Sequence, residues 1–226
     1  MPPADDHRRA VEGYLAELTR RLRAGLGDAL AGVYLMGSAG TGGYVPGASD
    51  LDVWALVRGP VADDAKRGLV GRVDQAALPC PARGLELVLA RFPRGPEPVV
   101  ELNLNDGPRM ERRVALDASG EPRHWFVLDA AIGRQGGRAL WGPPPAEAFP
   151  AIPRSLQLAA IAESLDWYAA HEPDNRKAVL TATRGWRYLA EGRWSSKEDA
   201  ARWAAARRPD WAGEIDGALA SRHATS

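Results

Sequence analysis

The stretch VYLMGSAGTGGYVPGASDLDVWALV, from Val33 to Val57, constrains this chain more than any other. Two apolar runs, Val33–Met36 and Asp50–Val57, have the length and composition of buried strands, and a loop rich in Gly, Ser and Thr joins them. The second run opens with Asp50 and Asp52. Strand side chains alternate, so these two carboxylates share a face while Leu51 and Val53 point the other way. A charge buried alone is costly, and two side by side repel. Either the strand end reaches water, or a cation sits there. A divalent cation answers both problems, and Mg²⁺ is typically held by one or two carboxylates with phosphate oxygens completing its shell.

The flanks favour the cation. Gly37-Ser38 ends the first run and Ser49 directly precedes Asp50. Glycine lets backbone approach a phosphate closely, and serine hydroxyls and exposed N–H groups can donate to it. No Gly-Lys-Ser/Thr follows, so this is not a P-loop, and no dinucleotide fingerprint is present. Glu86 interrupts a third apolar run, GLELVLA. Beside the two aspartates it could bind metal or act as a base; alone it would be a sheet-edge ion pair with Arg83 or Arg91.

Bulk properties narrow the class. Lys+Arg and Asp+Glu both number 29 in 226 residues, so the formal net charge is zero, which argues against a general nucleic-acid binder. A single cysteine, Cys80, cannot form an internal disulfide and fits a reducing cytoplasm. The N-terminus lacks the apolar core of a signal peptide, and no run has the length of a membrane span, so a cytoplasmic protein is expected.

The first half reads as mixed α and β: a helix over His7–Leu26, strands at Val33–Met36, Asp50–Val57, Leu85–Phe92 and Val99–Asn105, and a helix over Ala62–Ala77. His124–Gly142 reads as helical, weakened near its end by Gly133, Gly136 and Gly137. The Pro-rich WGPPPAEAFPAIP then marks a boundary. Helical segments follow at Ser155–Ala170, Asn175–Glu191, Ser196–Arg207 and Trp211–Ser221. Asp174 or Asn175 can cap the second of these, and Ser195 or Ser196 the third. The fold class expected is α+β: residues 1–145 as a mixed, mostly antiparallel sheet flanked by helices, residues 146–226 as an all-α bundle, and a cleft between them.

Gly37-Ser38, a spacer, Ser49-Asp50-Leu51-Asp52 and a later carboxylate strand resemble the nucleotidyltransferase superfamily of the DNA polymerase β type. With LELVLA, ALWGPPP and NRKAVLTATRGWRYLAEGRWSSKEDAARWA, nearly the whole chain resembles the streptomycin/spectinomycin adenylyltransferases. That resemblance implies Mg-ATP-dependent transfer of AMP to an aminoglycoside or aminocyclitol hydroxyl, with ATP as co-substrate and two Mg²⁺ ions. It makes Asp50 and Asp52 metal ligands, and puts Gly37, Ser38 and Ser49 on the ATP phosphates. Glu86 becomes catalytic base and acceptor contact. Arg184 and Lys197 become triphosphate contacts from the helical part, and Asp174 an acceptor contact. By pattern alone, Arg184 and Lys197 are surface charges and Asp174 a helix cap. Streptomycin-acting members carry a tryptophan where this chain has Gly107, and some relatives have His or Asn where it has Lys177, so spectinomycin is favoured over streptomycin. A protein acceptor, an unknown hydroxylated metabolite and a non-catalytic binder are the alternatives; a monomer without nucleic-acid or membrane partners is expected.

Overall fold

The structure is a computed structural model that describes residues 4–224. Its centre is a six-stranded sheet in the order β5-β4-β3-β2-β1-β6. The strands are β1 (Leu30–Leu35), β2 (Leu51–Val57), β3 (Leu85–Arg91), β4 (Val99–Gly107), β5 (Met110–Ala115) and β6 (Arg138–Trp141). Every neighbouring pair is antiparallel except β2 and β3, which run parallel. A parallel pair needs a crossover, and helix α3 (Asp63–Val73) lies in it.

Strand alternation divides the apolar residues between two layers. Leu51, Val53, Ala55, Leu85, Leu87 and Leu89 face α1 (Ala4–Leu26) and α3, whose Leu15, Leu18, Leu22, Leu69 and Val73 cover them. Trp54, Leu56, Val88 and Ala90 face the other way, onto Phe126, Val127 and Ala130 of α4 (Arg123–Gly136). Asp52 and Glu86 belong to this second face by parity, at the ends of their strands where α4 still covers the sheet.

A short helix α2 (Gly37–Thr41) follows β1, and α5 (Pro145–Ala148) follows β6. The C-terminal part is helical: α6 (Arg154–His171), α7 (Lys177–Glu191), α8 (Lys197–Arg207) and α9 (Ala212–Ala224). Leu180, Ala201, Ala204, Ile215 and Ala218 form its small core. Its other apolar residues join the α4 layer, with Ala160, Tyr188 and Trp194 buried there beside Phe149. Of the capping alternatives, Ser196 caps α8: its hydroxyl accepts from the Asp199 N–H at 3.0 Å. At α7 the Asn175 carboxamide accepts from the Lys177 N–H at 2.9 Å.

Two strands lie where sequence periodicity showed none. β5 carries a half-exposed, charge-rich edge with no apolar alternation (MERRVA), and β6 occupies the end of the segment expected to be helical. The glycines at 133, 136 and 137 end α4 early. The segment expected to be loop after β1 contains α2.

Phe149 sits at the centre of the α4 layer. It is 1% exposed, with its ring 5.0 Å from Tyr34 and 5.9 Å from both Trp54 and Phe92. Phe149→Ala should lower unfolding free energy by about 3–5 kcal/mol in a denaturant titration, as large-to-small changes at fully buried aromatics do.

Candidate active site

The sheet positions the carboxylates. In the parallel pairing Asp52 lies opposite Glu86, with Leu51 opposite Leu85 and Val53 opposite Leu87. The Leu51 N–H donates to the Gly84 carbonyl at 2.9 Å, which fixes the start of both strands. Asp50 precedes β2 on the same side as Asp52. Its carboxylate lies 3.7 Å from the Arg83 guanidinium. Arg91 pairs instead with Glu101 at 2.5 Å. Neither partner proposed for an edge ion pair of Glu86 therefore meets it; Glu86 lines the cleft.

The connection from β1 wraps this end of the sheet. The Met36 N–H donates to the Asp52 carbonyl at 2.8 Å, and Gly37 follows at φ +52°, a conformation that favours glycine. A Cβ on Gly37 would stand 1.7 Å from an Asp52 carboxylate oxygen, so only glycine fits. The Gly40 N–H donates to the Met36 carbonyl at 2.7 Å, and the Gly43 N–H to that of Ser38 at 2.8 Å. Ser49 is buried, and its hydroxyl oxygen accepts from the Val45 N–H at 3.0 Å, which leaves its proton to donate elsewhere.

These residues line one cleft of about 570 Å³, with Gly37, Ser38, Ser49, Asp50, Asp52 and Glu86 on the sheet side and Asp174, Lys177 and Lys197 on the helical side. Arg184 is not on the cleft wall. Its guanidinium stands 5.9 Å from the centre of the Trp194 ring, and its charge acts on a further carboxylate, Asp129.

Asp129, on α4, was not foreseen. It lines the cleft with Asp52 and Glu86. Its signal was an aspartate inside the apolar run WFVLDAAIG, the same anomaly that drew attention to Glu86. Burial, then the Asp50 and Glu86 charges, push Asp52 well above the usual carboxylate range. Burial, then Asp129 and Asp50, push Glu86 up to about 8, against the opposing pull of Arg113. Burial raises Asp129 to about 6, while Arg184 and Lys197 hold it down. Desolvation and like charge act in the same direction here.

Oxygen-only donors under mutual repulsion suit a hard divalent cation, which would relieve both causes. Among the described residues no group of three or more His, Cys, Asp or Glu is disposed as a metal cage. Mg²⁺ does not need one, since one or two carboxylates with phosphate oxygens are its usual shell, so the Asp50–Asp52 pair fits it.

The position of the expected tryptophan is closed to any side chain. A Cβ on Gly107 would stand 2.3 Å from Gly84 Cα and 2.9 Å from the Arg83 carbonyl. Trp125 instead packs edge-on against Trp167 of α6, with ring centres 5.3 Å apart.

Residues 147–225 match the family described as aminoglycoside adenylyltransferase, C-terminal domain. This helical part belongs to the aminoglycoside adenylyltransferase family. That domain match indicates a nucleotidyltransferase enzyme. Among solved structures, a spectinomycin adenyltransferase AAD(9) from Enterococcus faecialis, crystallised with ATP and spectinomycin, superposes with a TM-score of 0.73. The match covers 94% of this chain and 90% of that one at 20% identity, which establishes a common α+β fold. No curated protein matches the chain by sequence. Among the described residues, no helix is long and apolar enough to cross a membrane.

Two expectations follow from the geometry. Gly37→Ala must displace either Asp52 or the β1–α2 connection. Activity should fall by roughly 10²-fold, the usual cost of a misplacement near 1 Å, which steady-state kinetics would measure. The second concerns pH. Glu86 titrates near 8 when folded, against an ordinary value of 4.5. Between those values the folded protein binds more protons than the unfolded chain, so stability is lost as pH rises through about 8. Glu86→Gln removes that loss. The ligand-free variant should match the wild type near pH 4.5 and exceed it at pH 8.5 by on the order of a few kcal/mol, read from denaturant titrations at the two pH values.

Proposed function

We propose that the protein transfers AMP from ATP to a hydroxyl of an aminocyclitol or aminoglycoside, spectinomycin before streptomycin, and releases pyrophosphate. The observation that carries this is a single cleft in which acidic strand ends face basic and acidic residues of the matched helical domain. The resemblance to an enzyme crystallised with ATP and spectinomycin supports the same substrates here.

In this reading residues 1–145 form the nucleotidyltransferase half and residues 146–226 close over it. Asp50 and Asp52 would hold Mg²⁺, which offsets charge developing on the transferring phosphoryl group. Gly37 brings backbone close to the phosphates, and Ser38 and Ser49 donate hydroxyl protons to them. Lys197 and Arg184 bring positive charge from the helical side. The downward pull of both on Asp129, and of Lys197 on Asp52, supports this reading. Glu86 accepts the acceptor's hydroxyl proton on its carboxylate, and Arg113 favours the ionised form that this requires. A base that titrates near neutrality is well matched to the task. Two walls of one cleft exclude water, which would otherwise compete as acceptor. Asp174, on the helical wall, supplies negative charge for an ammonium group. Gly107, which has no room for an aromatic side chain, favours spectinomycin over a drug whose binding needs a tryptophan there.

A pyrophosphate-release assay with Mg-ATP tests this against spectinomycin and streptomycin. Release is expected with spectinomycin. Glu86→Gln should keep Mg-ATP binding and lose about 10²–10⁴-fold in transfer, the usual worth of a general base. Wild-type turnover by that variant would exclude Glu86 as base. Label from ATP that ended on a macromolecule in a lysate, with no drug modified, would overturn the small-molecule acceptor.

A further inference from the structure

Beside the shared apolar layer, the two halves are joined by a polar pairing outside the cleft floor. Gln135, in the last turn of α4, is exposed, yet both ends of its carboxamide are engaged. Its Nε2 donates to the Trp194 carbonyl at 2.8 Å, and its Oε1 accepts from the Trp194 N–H at 2.8 Å. A side-chain amide thus pairs with one backbone unit as a neighbouring strand would. Trp194 lies in the turn between α7 and α8 and is itself fixed on every side. Its Nε1–H donates to Gln157 of α6 at 2.8 Å, and its ring stacks on Tyr188 of α7 at 4.2 Å and 15°. Three residues on, Lys197 opens α8 behind the Ser196 cap. The Arg184 guanidinium stands 5.9 Å from the same indole.

The other end of this pairing is equally fixed. Gly133 of α4 lets Met36 approach so closely that a Cβ there would stand 1.8 Å from the Met36 methyl. A Cβ on Gly136 would stand 3.1 Å from Thr41. The turn of α4 that carries Gln135 is therefore seated against the Gly37–Ser38 connection. The carboxamide of Gln135 is thus one of the links between the serine loop and the turn that leads to Lys197.

From this we propose that Gln135 is a positioning residue: through Trp194 it sets Arg184 and Lys197 opposite the Gly37–Ser38 loop and the carboxylates. It touches none of the reacting groups. The inference rests on the reading of Arg184 and Lys197 as triphosphate contacts. Loss of the carboxamide leaves these cations attached to α7 and α8 but loosens the turn that aligns them with the loop, so ATP capture suffers before chemistry does.

The test is Mg-ATP affinity by calorimetry, together with KM and kcat, in Gln135→Leu, Lys197→Ala and the double variant. Gln135→Leu should weaken Mg-ATP binding roughly tenfold, the worth of two ordinary hydrogen bonds in part expressed at the site. The effect should fall on KM for ATP more than on kcat. In the Lys197→Ala background the same substitution should cost less than about threefold, because a cation that is absent cannot be misplaced. A purely structural role would give equal losses in both backgrounds and would overturn the proposal. So would unchanged affinity in Gln135→Leu while Lys197→Ala alone weakens binding. If Lys197→Ala itself left affinity intact, the triphosphate reading would fall instead. Should Gln135→Leu not fold, Gln135→Glu keeps the acceptor for the Trp194 N–H and loses the donor to its carbonyl. It should weaken binding roughly threefold, and wild-type affinity there would count against the proposal.

Discussion

The crowding of half-buried carboxylates at one end of the sheet governs this molecule. Asp52 and Glu86 sit side by side on the only parallel strand pair of the sheet, with Asp50 ahead of them and Asp129 facing them from α4. Water alone does not solvate them well, since burial is the first cause of the upward shift at Asp52, Glu86 and Asp129. The helical domain answers part of that field with Arg184 and Lys197, and Arg83 answers another part at Asp50. The rest is a standing demand for positive charge in the cleft. Stability is given up where function needs an unbalanced site, a common arrangement at active centres.

Helix α4 is what ties this field to the fold. One of its faces packs on the sheet through Phe126, Val127 and Ala130. The same helix presents Asp129 to the cleft, seats its glycines against the β1–α2 connection and holds Trp194 through Gln135. Phe149, Tyr188 and Trp194 then extend the apolar layer into the helical part, so the sheet and the C-terminal helices share one core.

Much of this was legible in the chain itself. Asp50, Asp52 and Glu86 declared themselves because charge is costly in an apolar strand, and parity placed the aspartates on one face. The helical segments followed from 3.6-residue spacing, and Ser196 from capping chemistry. What stayed hidden depends on tertiary contact. β5 has no apolar alternation, because only its pairing with β4 makes it a strand. β6 is too short to signal itself, and three nearby glycines blurred the end of α4. Asp129 carried the same anomaly as Glu86 but lies in a helix, where a single charged residue in an apolar run is easily taken as a solvent-facing position. Gln135 carried no signal, because an exposed glutamine becomes informative only once Trp194 is beside it.

The parallel pairing of β2 and β3 has a consequence beyond the site. Leucines and carboxylates alternate strictly at their N-terminal ends, with Leu51 and Leu85 on one face and Asp52 and Glu86 on the other. A slip of one residue between the strands would turn Glu86 into the layer occupied by α1 and α3, and bring Leu85 or Leu87 into the cleft. Misregistered chains would therefore fail as folded proteins before they could persist as inactive enzymes. The hydrophobic core proofreads the cleft, and every leucine that holds the register also guards the carboxylates on the opposite face.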